Sequence, residues 1–443
     1  MQRTYISDLK DHVGTEVSIG GWVSVRRDQG KMVFMDIRDM SGTVQCVVLP
    51  SHTEALETVK EVRTEWVLEM KGIVNKRPEK NIKAGVANGD IELEITSIEV
   101  LSKAQELPFA LDAELNLDTY FDHLPLTLRT ERARDIFTVQ ATIVEAYRQS
   151  LRRQKFMEFQ APALVAGDAE GGGAAFKVEY FNEKTAYLAT SPQLYKEIMV
   201  GPFERAFTIA KIFRAEKSAT TRHLSELTQM DFEMGFIKDH FDVIAVLEQV
   251  IRDVVSTVKE KHTDVFTRFK IEAPLMPEKF PVFTLREAQD LIAKEFDRTV
   301  EDTRDMSPED ERQICEYAKE KFGSDFVFIT RFPTAKRAFY TYADPADPDF
   351  SLSFDLLFRG LEINSGSQRI HNYDQMIEKM KSRNINPENF SFYLQAFKYG
   401  LPPHGGCSTG LERITARMLE LANVKEASAF PRDLTRIDNP LSQ

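Results

Sequence analysis

The segment IFRAEKSATTRHLSELTQMDFEMGFI, residues 212–237, decides how the chain is interpreted. It opens as an apolar strand, and Arg214 and Glu216 follow at the two-residue spacing that places side chains on one face of a strand. After a polar loop, Asp231 and Glu233 repeat that spacing. Charged residues are rarely buried unless they are paired or serve chemistry. The segment therefore predicts the base of a site for an anionic, polar ligand.

The composition narrows the class of protein. The chain has 443 residues, of which 42% are hydrophobic and 28% charged, and its net charge is −12. These values indicate a multidomain globular protein and argue against one that coats nucleic acid through bulk charge. They are compatible with a local basic groove. Cys46, Cys315 and Cys407 form no metal or disulfide pattern. With no signal peptide and no apolar run of membrane-spanning length, we expect a cytoplasmic protein without a membrane partner.

The N-terminal region, residues 1–103, has the pattern of a small β-domain. Alternating apolar residues predict three strands within 15–49, and two more at 66–74 and 91–101. Short strands at this density predict a small closed barrel such as the OB-fold, which binds oligonucleotides on its strand faces. Another small β-domain would share the pattern.

The rest of the chain predicts a linker and one larger domain. Residues 104–130 are interpreted as a linker and 131–443 as an α+β domain built on an antiparallel sheet flanked by helices. Within it, 264–330 is a helix-rich insertion or flank. Helical spacing of apolar residues after position 131 predicts a long helix, at Ile136, Val139, Ile143, Tyr147 and Leu151. Neither a P-loop nor a Rossmann glycine motif is present in the sequence.

The charged residues of this domain suit nucleotide chemistry. Arginines bind phosphates with paired N–H groups, two carboxylates beside phosphates suit Mg²⁺, and a helix that follows a glycine-rich turn attracts anions. The alternative is a set of ordinary surface ion pairs. The cations are Lys196, Arg214, Arg222, Arg369 and Arg413, and the acids are Glu170, Glu216, Asp355 and Glu362.

Several segments resemble the motifs of one enzyme class. FMEFQAPALV (156–165), FRAE with TTRHLSE (213–226) and PPHGGCSTGLERI (402–414) resemble motifs 1, 2 and 3 of the class II aminoacyl-tRNA synthetases. Within subclass IIb the chain is most similar to the aspartyl enzymes of archaeal and eukaryotic type. The segments that carry this similarity are SPQLYK (191–196), SFDLLFRGLEINSGSQRIH (353–371) and FPRDLTRI (430–437).

The resemblance implies an activity and its partners. Such an enzyme activates L-aspartate with ATP and Mg²⁺ to aspartyl-adenylate, then transfers the aspartyl group to tRNA(Asp). It is a homodimer through motif 1, and its OB-fold barrel binds the anticodon. Use of tRNA(Asn) as well stays open, and it would imply a tRNA-dependent amidotransferase as a further partner.

The resemblance also assigns residues to roles. The catalytic arginines would be Arg214 and Arg413. The ATP-binding residues would be Arg214, Glu216, Arg222, His223, Leu224, Glu362, Gly410, Leu411, Glu412 and Arg413. Aspartate would be bound by Glu170, Gln193, Lys196, Arg214, Ser365 and Arg369, magnesium by Asp355, Glu362 and Ser365, and the anticodon by Arg26, Phe34 and Gln45.

Aspartate is favoured over asparagine on physical grounds. A pocket that selects the charged substrate needs a fixed cation, which the neutral isostere leaves unpaired. Lys196 and Arg369 are the candidates, and asparaginyl enzymes lack the lysine. Two departures from the family stand out: Ser408 replaces the usual glycine of motif 3, and Ser24 follows GWV where residues influence the choice of tRNA.

Three other functions stay open as alternatives. An asparaginyl-tRNA synthetase is a close relative, against which Lys196 argues. A synthetase paralogue that makes asparagine from aspartyl-adenylate would lack the barrel. A non-catalytic RNA-binding paralogue would lose the motif arginines and the metal-binding acids, all of which are present.

Overall fold

The computed structural model describes residues 2–167, 174–217 and 220–438. The chain divides between Ala113 and Glu114 into two compact units. The N-terminal unit is a barrel, and the C-terminal unit is built on a large sheet. None of the helices in the described part of the chain combines the length and the apolar composition that a membrane span requires.

The N-terminal unit is a closed barrel with the strand order β1-β2-β3-β5-β4. Along β2 the buried residues Val33, Met35 and Ile37 alternate with half-buried Phe34 and Asp36, as the sequence pattern predicted. The OB-fold prediction is confirmed, but helix α1 between β3 and β4 was not predicted. The elements are β1 (Glu16–Gln29), β2 (Met32–Arg38), β3 (Thr43–Val48), α1 (Thr53–Glu61), β4 (Val67–Lys76) and β5 (Ile91–Ser102), with 3-10 helices Ile6–His12 and Glu79–Asn81.

The C-terminal unit contains the remaining strands and helices. Its strands are β6 (Met157–Glu158), β7 (Leu164–Val165), β8 (Lys177–Tyr180), β9 (Lys184–Leu188), β10 (Arg205–Phe213), β11 (Glu226–Gly235), β12 (Val282–Thr284), β13 (Phe326–Thr330), β14 (Ala343–Asp344), β15 (Asp347–Ser351), β16 (Ser353–Phe358), β17 (Leu361–Gln368) and β18 (His404–Gly410). Its helices are α2 (Leu117–Asp122), α3 (Leu124–Thr127), α4 (Glu131–Arg153), α5 (Gln193–Phe203), α6 (His240–Lys261), α7 (Thr263–Phe269), α8 (Leu285–Glu295), α9 (Pro308–Phe322), α10 (Tyr373–Ser382), α11 (Ser391–Lys398) and α12 (Leu411–Met418), with 3-10 helices Thr334–Lys336, Pro387–Phe390 and Val424–Ala427.

The large sheet has eight strands in the order β12-β13-β16-β17-β18-β11-β10-β6. It is antiparallel from β13 to β10, and the outermost pairs, β12–β13 and β10–β6, are parallel. One face packs on α4, α6 and α12 through apolar side chains that include those of Phe232, Phe354 and Leu356. This α+β architecture on a mainly antiparallel sheet agrees with the prediction.

The register of the central strands aligns polar residues across the opposite face. Asp231 on β11 pairs with Ser408 on β18, Ser408 pairs with Ser365 on β17, and Ser365 pairs with Asp355 on β16. Directly paired residues of neighbouring antiparallel strands point to the same face. A polar row therefore runs across the middle of the sheet.

Two local predictions were wrong. Strand β10 ends at Phe213, so Arg214 and Glu216 lie beyond the strand and not on its face. The glycine-rich stretch before α12, predicted as a turn, is strand β18. Gly406 explains why glycine occurs inside that strand: a Cβ there would lie 2.1 Å from the carbonyl oxygen of Phe232.

Two predicted segments have more structure than the sequence indicated. The stretch interpreted as a linker, 104–130, contains helices α2 and α3. The stretch 264–330 contains helices α7, α8 and α9, and its strands β12 and β13 join the large sheet. The exact domain bounds 1–103 and 131–443 stay a prediction.

Candidate active site

Four buried charged residues form the base of the site, and we call them the pocket floor: Lys196, Asp231, Glu233 and Arg369. Lys196 Nζ donates to Asp231 Oδ2 at 2.9 Å and to the carbonyl oxygen of Cys407 at 3.1 Å, and lies 3.5 Å from Glu233 Oε2. The Lys196, Asp231 and Glu233 side chains are 0% exposed. Each cation of the floor is thus paired with an acid, as burial requires.

Arg369 is held in a fixed orientation. Its Nε and Nη2 donate to the two carboxylate oxygens of Glu233 at 2.9 and 3.2 Å, its Nη1 donates to Ser367 Oγ at 2.6 Å, and Nη2 also donates to the carbonyl oxygen of Gly406 at 2.9 Å. Burial works to lower the pKa of Arg369, but the Glu233 carboxylate outweighs it and raises the pKa. Arg369 is therefore a permanent cation.

A second polar cluster lies behind the floor. Glu197 accepts hydrogen bonds from Gln193 Nε2 at 2.6 Å and from the Tyr393 hydroxyl at 2.8 Å, and its Oε2 lies 3.1 Å from His404 Nε2. Burial acts to raise the pKa of Glu197, but the hydrogen bond and charge of His404, together with the charge of Arg369 and the hydrogen bond from Gln193, outweigh it and the pKa is lowered. Gln193, which was predicted to contact the substrate, thus donates one of its amide hydrogens to this cluster.

Ser408 has a specific partner in the floor. Its hydroxyl donates to Asp231 Oδ1 at 2.6 Å, while Asp231 Oδ2 accepts from Lys196. The serine that replaces the family's glycine therefore leaves the strand register intact and adds a donor to a buried carboxylate.

The other end of the polar row carries the residues predicted to bind phosphates and metal, and we call Arg222, Asp355, Glu362, Ser365 and Arg413 the phosphate end. The buried Asp355 Oδ1 has no hydrogen-bond partner among the described residues. Burial raises the pKa of Asp355, and Glu362 adds to that rise. A buried oxygen without a partner, beside a second carboxylate, suits a hard cation such as Mg²⁺.

Arg337, which sequence reasoning missed, braces the same acid. Its Nη2 donates to Asp355 Oδ2 at 2.8 Å and its Nη1 donates to Ser365 Oγ at 3.2 Å. Within the described residues no group of three or more His, Cys, Asp or Glu side chains is placed to hold a metal ion. The carboxylates present match the pair that Mg²⁺ uses together with substrate phosphates.

The arginines of the phosphate end contact the neighbouring strands and α9. Arg222 Nη1 donates to Glu311 Oε2 at 2.8 Å, and its Nη2 donates to the carbonyl oxygen of Gly360 at 3.1 Å. Arg413 Nη1 donates to the carbonyl oxygen of Glu362 at 2.9 Å. Glu311 was missed because it lies in the stretch 264–330, where the sequence offered no motif.

The remaining motif 2 residues lie at the surface. Arg214, Glu216 and His223 are exposed. Burial lowers the pKa of His223, and the positive charges of Arg413 and Arg214 lower it further, so these cations lie close enough to act on the imidazole.

The other predicted ATP-binding residues are buried or lie at the start of α12. The Glu412 carboxylate accepts the Thr228 backbone N–H at 3.0 Å, and the side chains of Leu224 and Leu411 are buried. Gly410 is the N-cap of α12. Glu170, predicted to bind aspartate, lies outside the described residues.

The barrel places the predicted anticodon-binding residues on two faces. Phe34 on β2 pairs with Arg27 on β1, and Gln45 on β3 pairs with Asp36, on the same outer face. Arg26 pairs instead with buried Met35, and its Nε donates to the carbonyl oxygen of Val59 at 3.0 Å. The register therefore places Arg27, not Arg26, beside Phe34.

Comparison with known families matches both units. Residues 17–101 match the OB-fold nucleic acid binding domain, and residues 116–434 match the class II tRNA synthetases (D, K and N). The chain belongs to the class II tRNA synthetases. The resemblance drawn from its motifs is thereby confirmed, and the chain is an aminoacyl-tRNA ligase.

The relatives of this synthetase are similar along its whole length. The aspartate–tRNA(Asp/Asn) ligase of Thermus thermophilus is 42% identical over 98% of this chain and 99% of its own length. The aspartate–tRNA(Asp) ligase of Thermoplasma acidophilum is 37% identical over 99% of this chain and 100% of its own.

Solved structures of both aspartyl and asparaginyl enzymes have the same fold. The asparaginyl-tRNA synthetase of Pyrococcus horikoshii in complex with asparaginyl-adenylate has a TM-score of 0.91 and 30% identity, covering 99% of this chain and 100% of that one. The aspartyl-tRNA synthetase of Entamoeba histolytica has a TM-score of 0.87 and 30% identity, covering 99% and 93%. The fold alone thus leaves the amino acid to be decided by the pocket.

Proposed function

We propose that this synthetase is an aspartate–tRNA ligase, and that the pocket floor selects aspartate. The observation that carries the proposal is that some N–H groups of Lys196 and Arg369 are still available to donate hydrogen bonds. Among the described residues, the contacts of Arg369 use four of its five N–H groups. Within the described part of the chain, the third ammonium hydrogen of Lys196 has only the 3.5 Å contact with Glu233.

Donors from two fixed cations suit a carboxylate better than an amide. A carboxylate accepts at both oxygens, whereas the amide of asparagine presents a donor NH₂ group on one side. Asparagine would place that NH₂ against a donor and leave a buried N–H group of the floor without an acceptor, which disfavours it. Lys196 and Arg369 therefore act as the specificity residues for the side chain of the substrate.

The proposed reaction has two steps, activation of aspartate and transfer to tRNA. The aspartate α-carboxylate attacks the α-phosphorus of ATP, a bond from the carboxylate oxygen to phosphorus forms, and the bond from phosphorus to the bridging oxygen breaks with release of pyrophosphate. Arg214 binds the α-phosphate and Arg413 braces the nucleotide, so the enzyme acts by positioning and charge stabilisation. The 3′-terminal ribose of tRNA then takes the aspartyl group, and AMP leaves.

Asp355, Glu362 and Ser365 would hold Mg²⁺. Bound there with the phosphates of ATP, the ion would supply positive charge against the pyrophosphate leaving group. Arg337 keeps Asp355 and Ser365 in position, so that their oxygens stay directed to one place.

The partners follow from the fold and the family. The outer barrel face around Phe34 binds the anticodon of tRNA(Asp), since half-exposed aromatics beside polar side chains stack on single-stranded bases. Motif 1, the segment 156–165 that contains β6, forms a homodimer. Use of tRNA(Asn), and with it a tRNA-dependent amidotransferase partner in the cytoplasm, depends on barrel residues near Ser24.

The test is charging of purified tRNA(Asp) and tRNA(Asn) transcripts with labelled aspartate, and with labelled asparagine in parallel. We expect aspartate on tRNA(Asp). Aspartate on both transcripts would assign the wider tRNA range and make the amidotransferase a required partner. Asparagine charging would overturn the assignment of the pocket floor, and no charging with either amino acid would favour a non-catalytic paralogue.

A further inference from the structure

Helix α9 brings one buried acid into the phosphate end. The helix begins after Ser307, whose hydroxyl caps it, and Glu311 lies in its first turns. Glu311 is 8% exposed, whereas Glu316 on the same helix is exposed. A buried carboxylate so close to solvent-exposed neighbours needs partners that keep it there.

Glu311 has partners from two separate parts of the site. Its Oε2 accepts from Arg222 Nη1 at 2.8 Å and from the backbone N–H of Glu362 at 3.2 Å. The first partner belongs to the motif 2 loop and the second to strand β17. One oxygen therefore connects the loop that would contact the outer phosphates to the strand that would hold the metal.

The contacts of Arg222 with other described residues leave three of its five N–H groups available. Glu311 and the carbonyl oxygen of Gly360 take two of the five N–H groups of Arg222, from opposite Nη atoms. Removing Arg222 from Glu311 would leave a buried carboxylate unpaired beside Glu362, which costs more than keeping the pair. An anion that approaches Arg222 therefore finds it anchored, with N–H groups still free to donate.

We propose that Glu311 is a positioning residue for ATP: anchored by the backbone N–H of Glu362, it fixes Arg222 so that the guanidinium meets the outer phosphates without rearrangement. The inference rests on the proposed ATP site and adds a residue from outside the class motifs. Preorganisation of this kind strengthens phosphate binding because the arginine loses little freedom when ATP arrives.

The test compares Glu311→Gln with the matched control Glu316→Gln. Glutamine keeps the size of the side chain and an acceptor oxygen but removes the charge. We expect equilibrium dialysis with labelled Mg·ATP to show about tenfold weaker binding for Glu311→Gln and no change for Glu316→Gln. In aspartate-dependent ATP–pyrophosphate exchange, the KM for ATP should rise while the KM for aspartate stays unchanged.

A double variant separates positioning from general stabilisation. If Glu311 acts through Arg222, then Arg222→Ala combined with Glu311→Gln binds ATP no more weakly than Arg222→Ala alone. Additive losses would overturn the proposal, as would unchanged or tighter ATP binding by Glu311→Gln. Because ATP binding is measured directly, an enzyme that binds ATP but charges no tRNA would contradict the proposed function and leave the result for Glu311 intact.

Discussion

The pocket floor and the phosphate end lie along one polar row but differ in how far their charged side chains are buried and paired. In the floor, the Lys196, Asp231 and Glu233 side chains are 0% exposed and each charge faces its opposite. At the phosphate end, the Glu362 side chain is 35% exposed and that of Arg413 is 27% exposed. The charges of the floor are thus paired before substrate arrives, whereas at the phosphate end an acid oxygen of Asp355 has no partner among the described residues.

The difference teaches how each region obtains specificity. A closed network discriminates because substrate must match donors whose positions are fixed, and a mismatch leaves a buried donor without an acceptor. A half-open region tolerates charge that comes and goes with ATP, metal and pyrophosphate, because solvent screens it between turnovers. Substitutions in the floor should therefore damage folding and substrate choice together, and those at the phosphate end should affect nucleotide binding alone.

Lys196→Met should give the largest effect. It leaves the Asp231 carboxylate buried without its cation, so we expect the free energy of unfolding to fall by about 3–5 kcal/mol. The kcat/KM for aspartate should fall roughly 1000-fold, with ATP binding nearly unchanged. Chemical denaturation and ATP–pyrophosphate exchange measure the two.

The control for this variant is Lys211→Met, which removes an exposed lysine from the neighbouring strand β10. It should leave both stability and exchange close to the parent enzyme. Equal losses of aspartate activation and ATP binding in Lys196→Met would contradict the separation of the two regions.

Arg413→Gln should affect the phosphate end alone. We expect the KM for ATP to rise about twentyfold, since a charge-assisted contact to phosphate is lost, while the free energy of unfolding changes by less than about 1 kcal/mol. Exchange kinetics at varied ATP, with Arg304→Gln as an exposed-arginine control, measure the first quantity. A loss of stability as large as that of Lys196→Met would show that the phosphate end is as integral to the fold as the floor.

Much of this contrast could be predicted from sequence, and the limits are physical. The strand spacing of Asp231 and Glu233 and the helical spacing from Ile136 to Leu151 report local periodicity, which survives folding unchanged. Lys196 and Arg369 were assigned through motif resemblance.

The partners of these residues could not be predicted, because they come from distant parts of the chain. Arg222 and Glu311 are 89 residues apart, and Glu197 and His404 are 207 apart. The sequence spacing of such residues carries no periodic signal. The interpretation of Arg214 and Glu216 as strand residues failed for a related reason: the alternating pattern continues to Glu216, three residues beyond Phe213, where the pairing of β10 with β11 ends.

Ser408→Ala should have a smaller effect, confined to the floor. Without the hydroxyl, Asp231 Oδ1 loses its donor, and the Asp231 carboxylate interacts more strongly with the Lys196 ammonium group. Lys196 is then less available to the substrate. We expect the KM for aspartate to rise roughly fivefold with the KM for ATP unchanged. Ser408→Thr keeps a hydroxyl and should restore most of the affinity; a threonine variant as weak as alanine would mean that shape, not the hydrogen bond, matters at this position.

The smallest expected effect is on the reactivity of the cysteines buried beneath the two regions. It tests whether the core beneath the phosphate end is less tightly closed than the core beneath the floor. Cys407 lies under the floor and Cys315 lies on α9 near Glu311, and both are buried. Burial raises the pKa of each thiol to about 12, so neither forms thiolate at pH 8.

A thiol reagent at that pH should therefore label none of the three cysteines rapidly in the native enzyme and all three after denaturation. Slow labelling of Cys315 and Cys407 at equal rates would show that the interiors beneath the two regions are equally closed. The regions would then differ only in the exposure of their charged side chains. Faster labelling of Cys315 that Mg·ATP slows would show instead that the interior beneath the phosphate end opens transiently in the free enzyme. A ligand slows such labelling when it binds the closed form and so reduces the population of the open form.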